Sequence, residues 1–272
     1  MKVKVIRPKK RIGIDDVREL LAYRELLYYF IWRDFKIRYK QTMIGVLWVL
    51  FQPFFSMIVF SIFFGKMAKM PSDGVPYPLF VFSGLLFWQF FSSALLDTSE
   101  SMVRNQTILT KIYFPRLIIP IAAISVKLVD FLVNFVVFIG IMIYYRYVPS
   151  ISVLFIFPFL MVLSFAASVG PGLFLASINV KYRDVRYVLP FFVQIMMFLT
   201  PVIYPSSIAN KYSWILKLNP MTGVIEAARA SFLNTGNISF NLLLYSVLIC
   251  VILFSFGLWY FKKTERFFAD II

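Results

Sequence analysis

GVPYPLFVFSGLLFWQFFSSALL, residues 74–96, is a stretch of 23 residues without one charged side chain. A helix needs about 20 mostly apolar residues to cross the hydrocarbon core of a membrane. The stretch is too long for a core strand, and it lacks the apolar–polar alternation of a barrel strand. Because lipid admits only helices and closed barrels, the stretch predicts a transmembrane helix.

Five other runs of the 272-residue chain have the same character. They are residues 41–65, 117–145, 147–180, 187–210 and 240–261, and the second of them is broken only by Lys127 and Asp130. Hydrophobic residues make up 60% of the chain and charged residues 15%, whereas soluble proteins average about 45–50% and about 25%. The sequence therefore predicts an all-α membrane protein with six transmembrane helices.

The lysine and arginine residues outside these spans are unevenly distributed. An even number of spans puts both termini on one side, and that side carries 21 of the 28 cations while the other carries 6. The positive-inside rule then places both termini in the cytoplasm. This bias, together with attraction to anionic membrane lipids, accounts for the net charge of +15, so no nucleic-acid partner is expected.

The chain divides at about residue 40 into a cytoplasmic tail, residues 1–40, and a six-span transmembrane domain, residues 41–272. Asp15 or Asp16 can cap a helix that runs to about Lys40. Most of its basic residues lie on one stripe and most of its aromatic and aliphatic residues on the opposite stripe, although Arg24 lies on the apolar side. This pattern predicts an amphipathic helix in the cytoplasmic interface. Such a helix either anchors the chain to lipid or docks a cytoplasmic partner.

The segments that connect the spans carry two further predictions. Residues 97–116 are long for a link between neighbouring spans, and Ser99 can cap a helix there that Pro115 ends. On the outward side, the apolar pieces within about residues 205–238 are too short to cross the membrane and too apolar to lie in water. They predict a re-entrant helical hairpin, which contains Pro220 and in which Glu226 can pair with Arg229 at i, i+3.

The sequence is poor in catalytic groups. It has no histidine, one cysteine and no G-x-x-x-x-G-K-[ST] motif, which argues against metal chemistry and against nucleotide binding by this chain. We therefore expect no enzyme activity, no metal site and no cofactor. Lys127 and Asp130 form an intramembrane pair at i, i+3 that either neutralises charge within one helix or takes part in gating or transport.

Aromatic side chains and amides recur on the faces of three predicted spans. Rings stack on the C–H faces of sugars, and scattered amides exchange weak hydrogen bonds with hydroxyl groups, so such faces suit a sliding glycan. Any single aromatic residue can equally face lipid. The candidate residues for a substrate path are Trp48, Phe51, Gln52, Phe55, Trp88, Phe91, Phe191, Gln194 and Phe198.

Three motifs resemble those of the polysaccharide and polyol-phosphate export permeases of the ATP-binding-cassette class. They are RDFKIRYKQTMIGVLWVLFQP, YRDVRYVLPFFVQIMMFLTPVIYP and LNPMTGVIEAARASFL, at residues 33–53, 182–205 and 218–233. The resemblance covers nearly the whole chain and is greatest to the O-antigen branch. It implies export of an undecaprenyl-type lipid-linked polysaccharide across the cytoplasmic (inner) membrane. A teichoic-acid or capsule permease, an ion-coupled carrier and a membrane-bound glycan enzyme remain alternatives.

The same resemblance implies a homodimer joined to two separate ATPase subunits, which bind ATP and Mg. Membrane lipids are the other expected partners. In this family the first and second cytoplasmic connectors contain coupling helices. Together with the interface helix as a possible docking element, they give the candidate residues for coupling to the ATPase: Arg33, Arg38, Arg104, Asn105, Lys111, Tyr113, Arg183 and Asp184.

Overall fold

The computed structural model describes residues 14–40, 46–182, 184–208 and 213–268, and these residues contain helices and no strand. In chain order the helices are α1 (Ile14–Ala22), α2 (Arg24–Lys40), α3 (Val46–Phe60), α4 (Tyr77–Arg104), α5 (Gln106–Leu109), α6 (Ile118–Tyr144), α7 (Val153–Lys181), α8 (Val185–Leu199), α9 (Ser213–Leu218), α10 (Pro220–Leu233) and α11 (Phe240–Thr264). A π-helix, Ser61–Met67, continues α3, and a short 3₁₀ turn, Glu265–Phe267, follows α11.

Five of these helical segments are long and apolar enough to cross a membrane. They are Leu47–Met67, which joins α3 to its π-helical end, together with α4, α6, α7 and α11, and they contain 21 to 29 residues each. Their lengths match the thickness of the hydrocarbon core at about 1.5 Å per residue. The chain is thus an all-helical, multi-pass membrane protein.

The segment predicted as a span at residues 187–210 differs from the prediction. Its helix, α8, has 15 residues and ends at Leu199. Thr200 is extended, with φ −90° and ψ 141°, because the ring of Pro201 disfavours a helical conformation in the residue before it. The prediction of one helix through this run was therefore too long, and residues 200–205 continue the chain without helix.

The connector after α4 also starts later than predicted. Helix α4 continues without a break through Asp97 and Ser99 to Arg104. The Ser99 hydroxyl donates to the carbonyl of Leu96, one turn back, instead of capping a new helix. The prediction of a helix start at Ser99 was wrong because the i−3 carbonyl competes for a serine hydroxyl inside a helix.

Helix α4 is the centre of the fold. In its apolar segment 78% of the residues are buried, against 11% in the first span and 17% in α11. Helices α6 and α7 pack extensively along α4, and α11 packs on α7. Glycines allow the closest crossing, since a Cβ atom on Gly257 would lie 1.9 Å from the carbonyl oxygen of Gly170. Small residues at helix crossings of this kind let backbones approach in membranes.

Contacts between loops define the two ends of the helix bundle. At one end, which we call the connector end, the contacts join Phe30 to Phe114, Asn179 to the carbonyl of Ser99, and Arg116 to the carbonyl of Glu265. At the opposite end they join Tyr77 to the carbonyl of Ile203, Ser150 to that of Ser231, and Asn234 to that of Val148. Helix α2 and the last turns of α11 thus both lie at the connector end.

Two further predicted elements, the amphipathic helix and the re-entrant hairpin, are helical in the structure. The amphipathic helix is divided at Tyr23 into α1 and α2, and α2 packs on α6. The region predicted as a hairpin contains α9 and the 14-residue α10. Helix α10 is buried among α4, α7 and α11 and is too short to cross a membrane. The interface position and the re-entrant position stay predictions.

Candidate functional site

A cluster of charged side chains joins α2, α4 and α6 near the connector end. Lys127 Nζ lies 2.7 Å from Asp97 Oδ2 and 3.8 Å from Asp130 Oδ2. Arg38 Nη2 lies 2.6 Å from Asp130 Oδ2. The predicted pair of Lys127 and Asp130 is therefore present, but each residue has a closer partner on another helix. The sequence did not indicate Asp97 as that partner.

The cluster, which we call the charge cluster, extends along α4 and is balanced in charge. Arg104 Nη2 lies 3.3 Å from Asp97 Oδ1 and 2.7 Å from Glu100 Oε2. Its carboxylates are Asp97, Glu100 and Asp130, and its cations are Arg38, Arg104 and Lys127. Three of each sign neutralise one another, so that partly buried charges are paired as a low-dielectric environment requires. In the described ranges no group of three or more acids and cysteines could hold a metal ion.

Tyr39 adds a neutral hydrogen bond to this cluster. Its hydroxyl donates to the Asp130 carboxylate. Burial of the ring, and next the adjacent carboxylate, raise the pKa of Tyr39 above its ordinary value. The hydroxyl therefore stays protonated at neutral pH and can keep donating. With Arg38, it gives α2 two successive side chains that both reach α6.

Helix α2 also contacts the first connector. Arg33 Nη2 donates to Asn105 Oδ1 at 2.7 Å, and its guanidinium lies 4.7 Å from the centre of the Phe30 ring. The Phe30 ring packs on Phe114 with 5.7 Å between the ring centres. Four coupling residues of the sequence analysis, Arg33, Arg38, Arg104 and Asn105, are thus brought together between α2 and α4.

Three of the remaining coupling residues, Lys111, Tyr113 and Asp184, lie on the surface. Lys111 and Tyr113 are exposed beside the buried Phe114, and the Tyr113 side chain is 67% exposed. Asp184 is exposed at the start of α8. Arg183 lies outside the described residues. The first connector therefore offers an edge that is exposed among the residues the structure describes.

The candidate substrate-path residues fall into two groups. Seven of them lie on the outer faces of α3 and α8 and are exposed: Trp48, Phe51, Gln52, Phe55, Phe191, Gln194 and Phe198. The other two, Trp88 and Phe91, are each only 3% exposed within α4. The centres of their two rings lie 5.3 Å apart within the packed helices. Helices α3 and α8 both pack on α4 and make few or no contacts with each other, so the two exposed aromatic faces are apart in the single chain.

A second polar site lies at the opposite end of the bundle, around Arg229. The side chain is only 1% exposed, and its guanidinium donates at 2.7 Å to the carbonyls of Pro201 and Val202. It also lies 3.6 Å from the centre of the Phe80 ring. The predicted ion pair with Glu226 is present at 3.3 Å. Arg229 thereby satisfies carbonyl groups that the end of α8 leaves without helical partners.

Neighbouring side chains complete this carbonyl-binding site. Tyr77 donates to the carbonyl of Ile203 at 2.7 Å, and Asn219 Nδ2 donates to Thr200 Oγ1 at 2.6 Å. Asn219 also caps α10 by accepting from the N–H of Met221, and Pro220 occupies the first turn. A Cβ atom on Gly84 would lie 2.8 Å from Arg229 Nη2, so glycine leaves room for the guanidinium. Non-helical backbone is thus covered by protein, as membrane depth requires.

Comparisons with known proteins match this chain over most of its length. The family described as ABC-2 type transporter matches residues 25–233. An O-antigen export system permease protein of Klebsiella pneumoniae is 30% identical over 243 residues, which cover 88% of this chain and 92% of that protein. One of Myxococcus xanthus is 29% identical, with 79% and 83% covered. A polysialic acid transport protein of Escherichia coli is 23% identical, with 86% and 91% covered.

Proposed function

This chain belongs to the ABC-2 type transporter family, and we propose that it is the membrane permease of an ATP-driven exporter of lipid-linked, O-antigen-type polysaccharide. The observation that carries the proposal is the match to two proteins named as O-antigen export permeases at 29–30% identity over most of both chains. Matches of that extent leave no room for a separate catalytic domain within the 272 residues. The chain is therefore a transport subunit.

We propose that the chain crosses the inner membrane six times and that both of its termini lie in the cytoplasm. Helix α7 ends near Ser99, and residues 202–203 lie beside Gly84 and Tyr77. Along α4 the two levels are separated by about 22–33 Å, at about 1.5 Å per residue. Residues 182–203 therefore traverse the bundle, although α8 alone is short. This sixth crossing also agrees with the position of α2 and the end of α11 at the connector end.

The exposed aromatic faces of α3 and α8 support a substrate path that two copies of the chain form together. A polymer slides through a path only where binding is strong enough for entry and weak enough for exit. Rings and amides, which offer non-directional stacking and weak hydrogen bonds, meet this requirement better than rings of charge. In the proposed homodimer, the faces that one chain holds apart meet the corresponding faces of the second copy.

The ATPase subunits dock, in this proposal, on the exposed edge of the first connector. Lys111 and Tyr113 supply the exposed groups, and Phe114 and Asn105 attach that edge to α2. The charge cluster then joins α2 to α4 and α6, so a displacement of the connector reaches three helices. Helix α2 precedes the first span in the sequence, and that span carries part of the proposed path.

The test is reconstitution of the purified chain into liposomes, with and without its ATPase subunit, using an undecaprenyl-linked O-polysaccharide as substrate. We expect substrate to become accessible to an external glycosidase only when the ATPase and ATP are both present. A matched preparation with an ATPase that binds but does not hydrolyse ATP serves as the control. Translocation by the chain alone, driven by an ion gradient, would contradict the proposal and support a carrier.

A further inference from the structure

A groove opens between the first span and α6 at the end of the bundle opposite the connector. It has a volume of about 730 Å³, within the range of ligand sites. Its floor is apolar and includes Met57 and Ile58 of α3 and Val137 and Ile141 of α6. A slot of this kind between two helices accommodates a linear hydrocarbon chain.

Two local features indicate that the groove is built into the sequence. Ser61, which lines the groove, has a buried hydroxyl oxygen without a hydrogen-bond partner among the described residues. It begins the π-helix Ser61–Met67, and π-helical turns occur frequently at functional sites. Across the groove, a Cβ atom on Gly140 would meet no atom within 4 Å. No neighbouring helix lies close to Gly140, so its missing side chain leaves open space in the groove and does not serve a close helix crossing.

The rim of the groove is polar where its floor is apolar. Lys66, at the end of the π-helix, is exposed and makes no ion pair within the part of the chain that the structure describes. Tyr144 and Tyr145, at the end of α6, also line the groove. Tyrosines are typical of the membrane–water interface, and a lysine ammonium is a common ligand of phosphate. The lining of the groove thus combines an apolar floor with tyrosine rings and one cation.

We propose that this groove binds one phospholipid of the outer leaflet, with an acyl chain between α3 and α6 and the phosphate on Lys66. The outward position of Lys66 rests on the topology of the proposed function. The order of groups, apolar floor, tyrosine rim and cation, matches the order along a phospholipid.

The test uses the complete transporter complex and 1-palmitoyl-2-oleoylphosphatidylglycerol as the probe. Gly140→Cys, in a Cys250→Ser background, places a thiol in the groove without a clash. We expect the lipid to slow its labelling by a maleimide at least tenfold. Ile143→Cys, on the same helix and 71% exposed outside the groove, is the matched control, and its labelling should not change. Equal labelling of Gly140→Cys with and without the lipid would overturn the proposal.

Native mass spectrometry of the same complex gives an independent measurement. Gly140→Phe should abolish the bound lipid, and Lys66→Ala should weaken its binding about fivefold, the effect of one cation at a lipid surface. Lys69→Ala, an exposed lysine outside the groove, is the control. A change of oligomeric state in Gly140→Phe, or occupation by undecaprenyl phosphate in preference to the phospholipid, would overturn the proposal. Lipid binding is measured without transport, so its failure is distinguishable from failure of the proposed function.

Discussion

The charge cluster at the connector end and the Arg229 site at the opposite end both contain cationic side chains, but the main partners of these side chains differ. Lys127 and Arg38 contact carboxylates on the side chains of other helices. Arg229 contacts backbone carbonyls of one irregular segment. Side-chain pairs can exchange partners when helices shift, whereas carbonyls fixed in the backbone cannot. We infer that the charge cluster is the adjustable region and the Arg229 site the rigid one.

The largest expected effect is at the rigid site. Arg229→Met removes the donor for the carbonyls of Pro201 and Val202, and each unsatisfied buried group costs about 1–3 kcal/mol. We expect the variant to lose most of its monodisperse protein in detergent, measured by size-exclusion chromatography. Arg24→Met, at an exposed position of α2, should behave as the unaltered chain. An Arg229→Met variant with an unchanged melting temperature would remove the contrast between the two sites.

The charge cluster should tolerate change better, because it has alternative partners. We expect Lys127→Met to cost less than the about 3–5 kcal/mol that breaking an isolated buried pair costs. The Lys127 ammonium lies 2.7 Å from Asp97 and 3.8 Å from Asp130, so Asp97 is its closer partner. Adding Asp97→Asn to Lys127→Met should therefore restore more stability than adding Asp130→Asn, as measured in double-mutant cycles of thermal unfolding. The reverse order would show that the pairing within α6 dominates.

Two glycine-to-alanine substitutions, one beside Arg229 and one away from it, test how tightly the rigid site is packed. Gly84→Ala places a methyl group 2.8 Å from Arg229 Nη2 and 3.1 Å from the carbonyl oxygen of Val202, which should cost about 1–3 kcal/mol. Gly140→Ala meets no atom within 4 Å and should change stability by at most about 1 kcal/mol, toward stabilisation, because alanine favours helix. Equal unfolding temperatures for the two variants would argue against tight packing around Arg229.

The smallest structural effect is expected at the exposed edge of the connector. Lys111→Glu reverses the charge of an exposed side chain, so the melting temperature should stay the same. Stimulation of the ATPase and ATP-dependent export should fall together, because the proposed docking surface is altered. Lys69→Glu, at an exposed lysine near the opposite end of the bundle, is the control for a general effect of charge. Full export by Lys111→Glu would place the ATPase contact elsewhere.

Local sequence patterns predicted the spans and the contacts within one helix. Uncharged runs marked the five long helices, and the i, i+3 spacing predicted the contacts of Lys127 with Asp130 and of Arg229 with Glu226. Both rest on hydropathy or on helix geometry, which a single sequence carries. Asp97 is the first charged residue after the uncharged run of residues 74–96. That position was the one feature of the sequence that marked Asp97 for its role in the charge cluster.

Contacts between distant segments were not predictable in the same way. The partner of Lys127 lies 30 positions earlier on another helix, and the main acceptors of Arg229 are carbonyls, which every residue has. Trp88 shows the same limit: as an aromatic residue in a span it fitted a substrate path, but the central position of α4 buries it. Which helix lies at the centre depends on tertiary packing and not on the composition of that helix.

The contrast between an adjustable and a rigid end is tested most directly by two pairs of spin labels in the complex, in a Cys250→Ser background. Ile37 and Leu132 are exposed and flank the contact of Arg38 with Asp130. Leu199 and Leu218 are exposed and flank the contact of Thr200 with Asn219. When the ATPase is trapped with ATP, we expect the distance of the first pair to shift by several ångströms and that of the second to stay the same. A shift of the second pair as large as that of the first, or no shift of the first, would contradict the account.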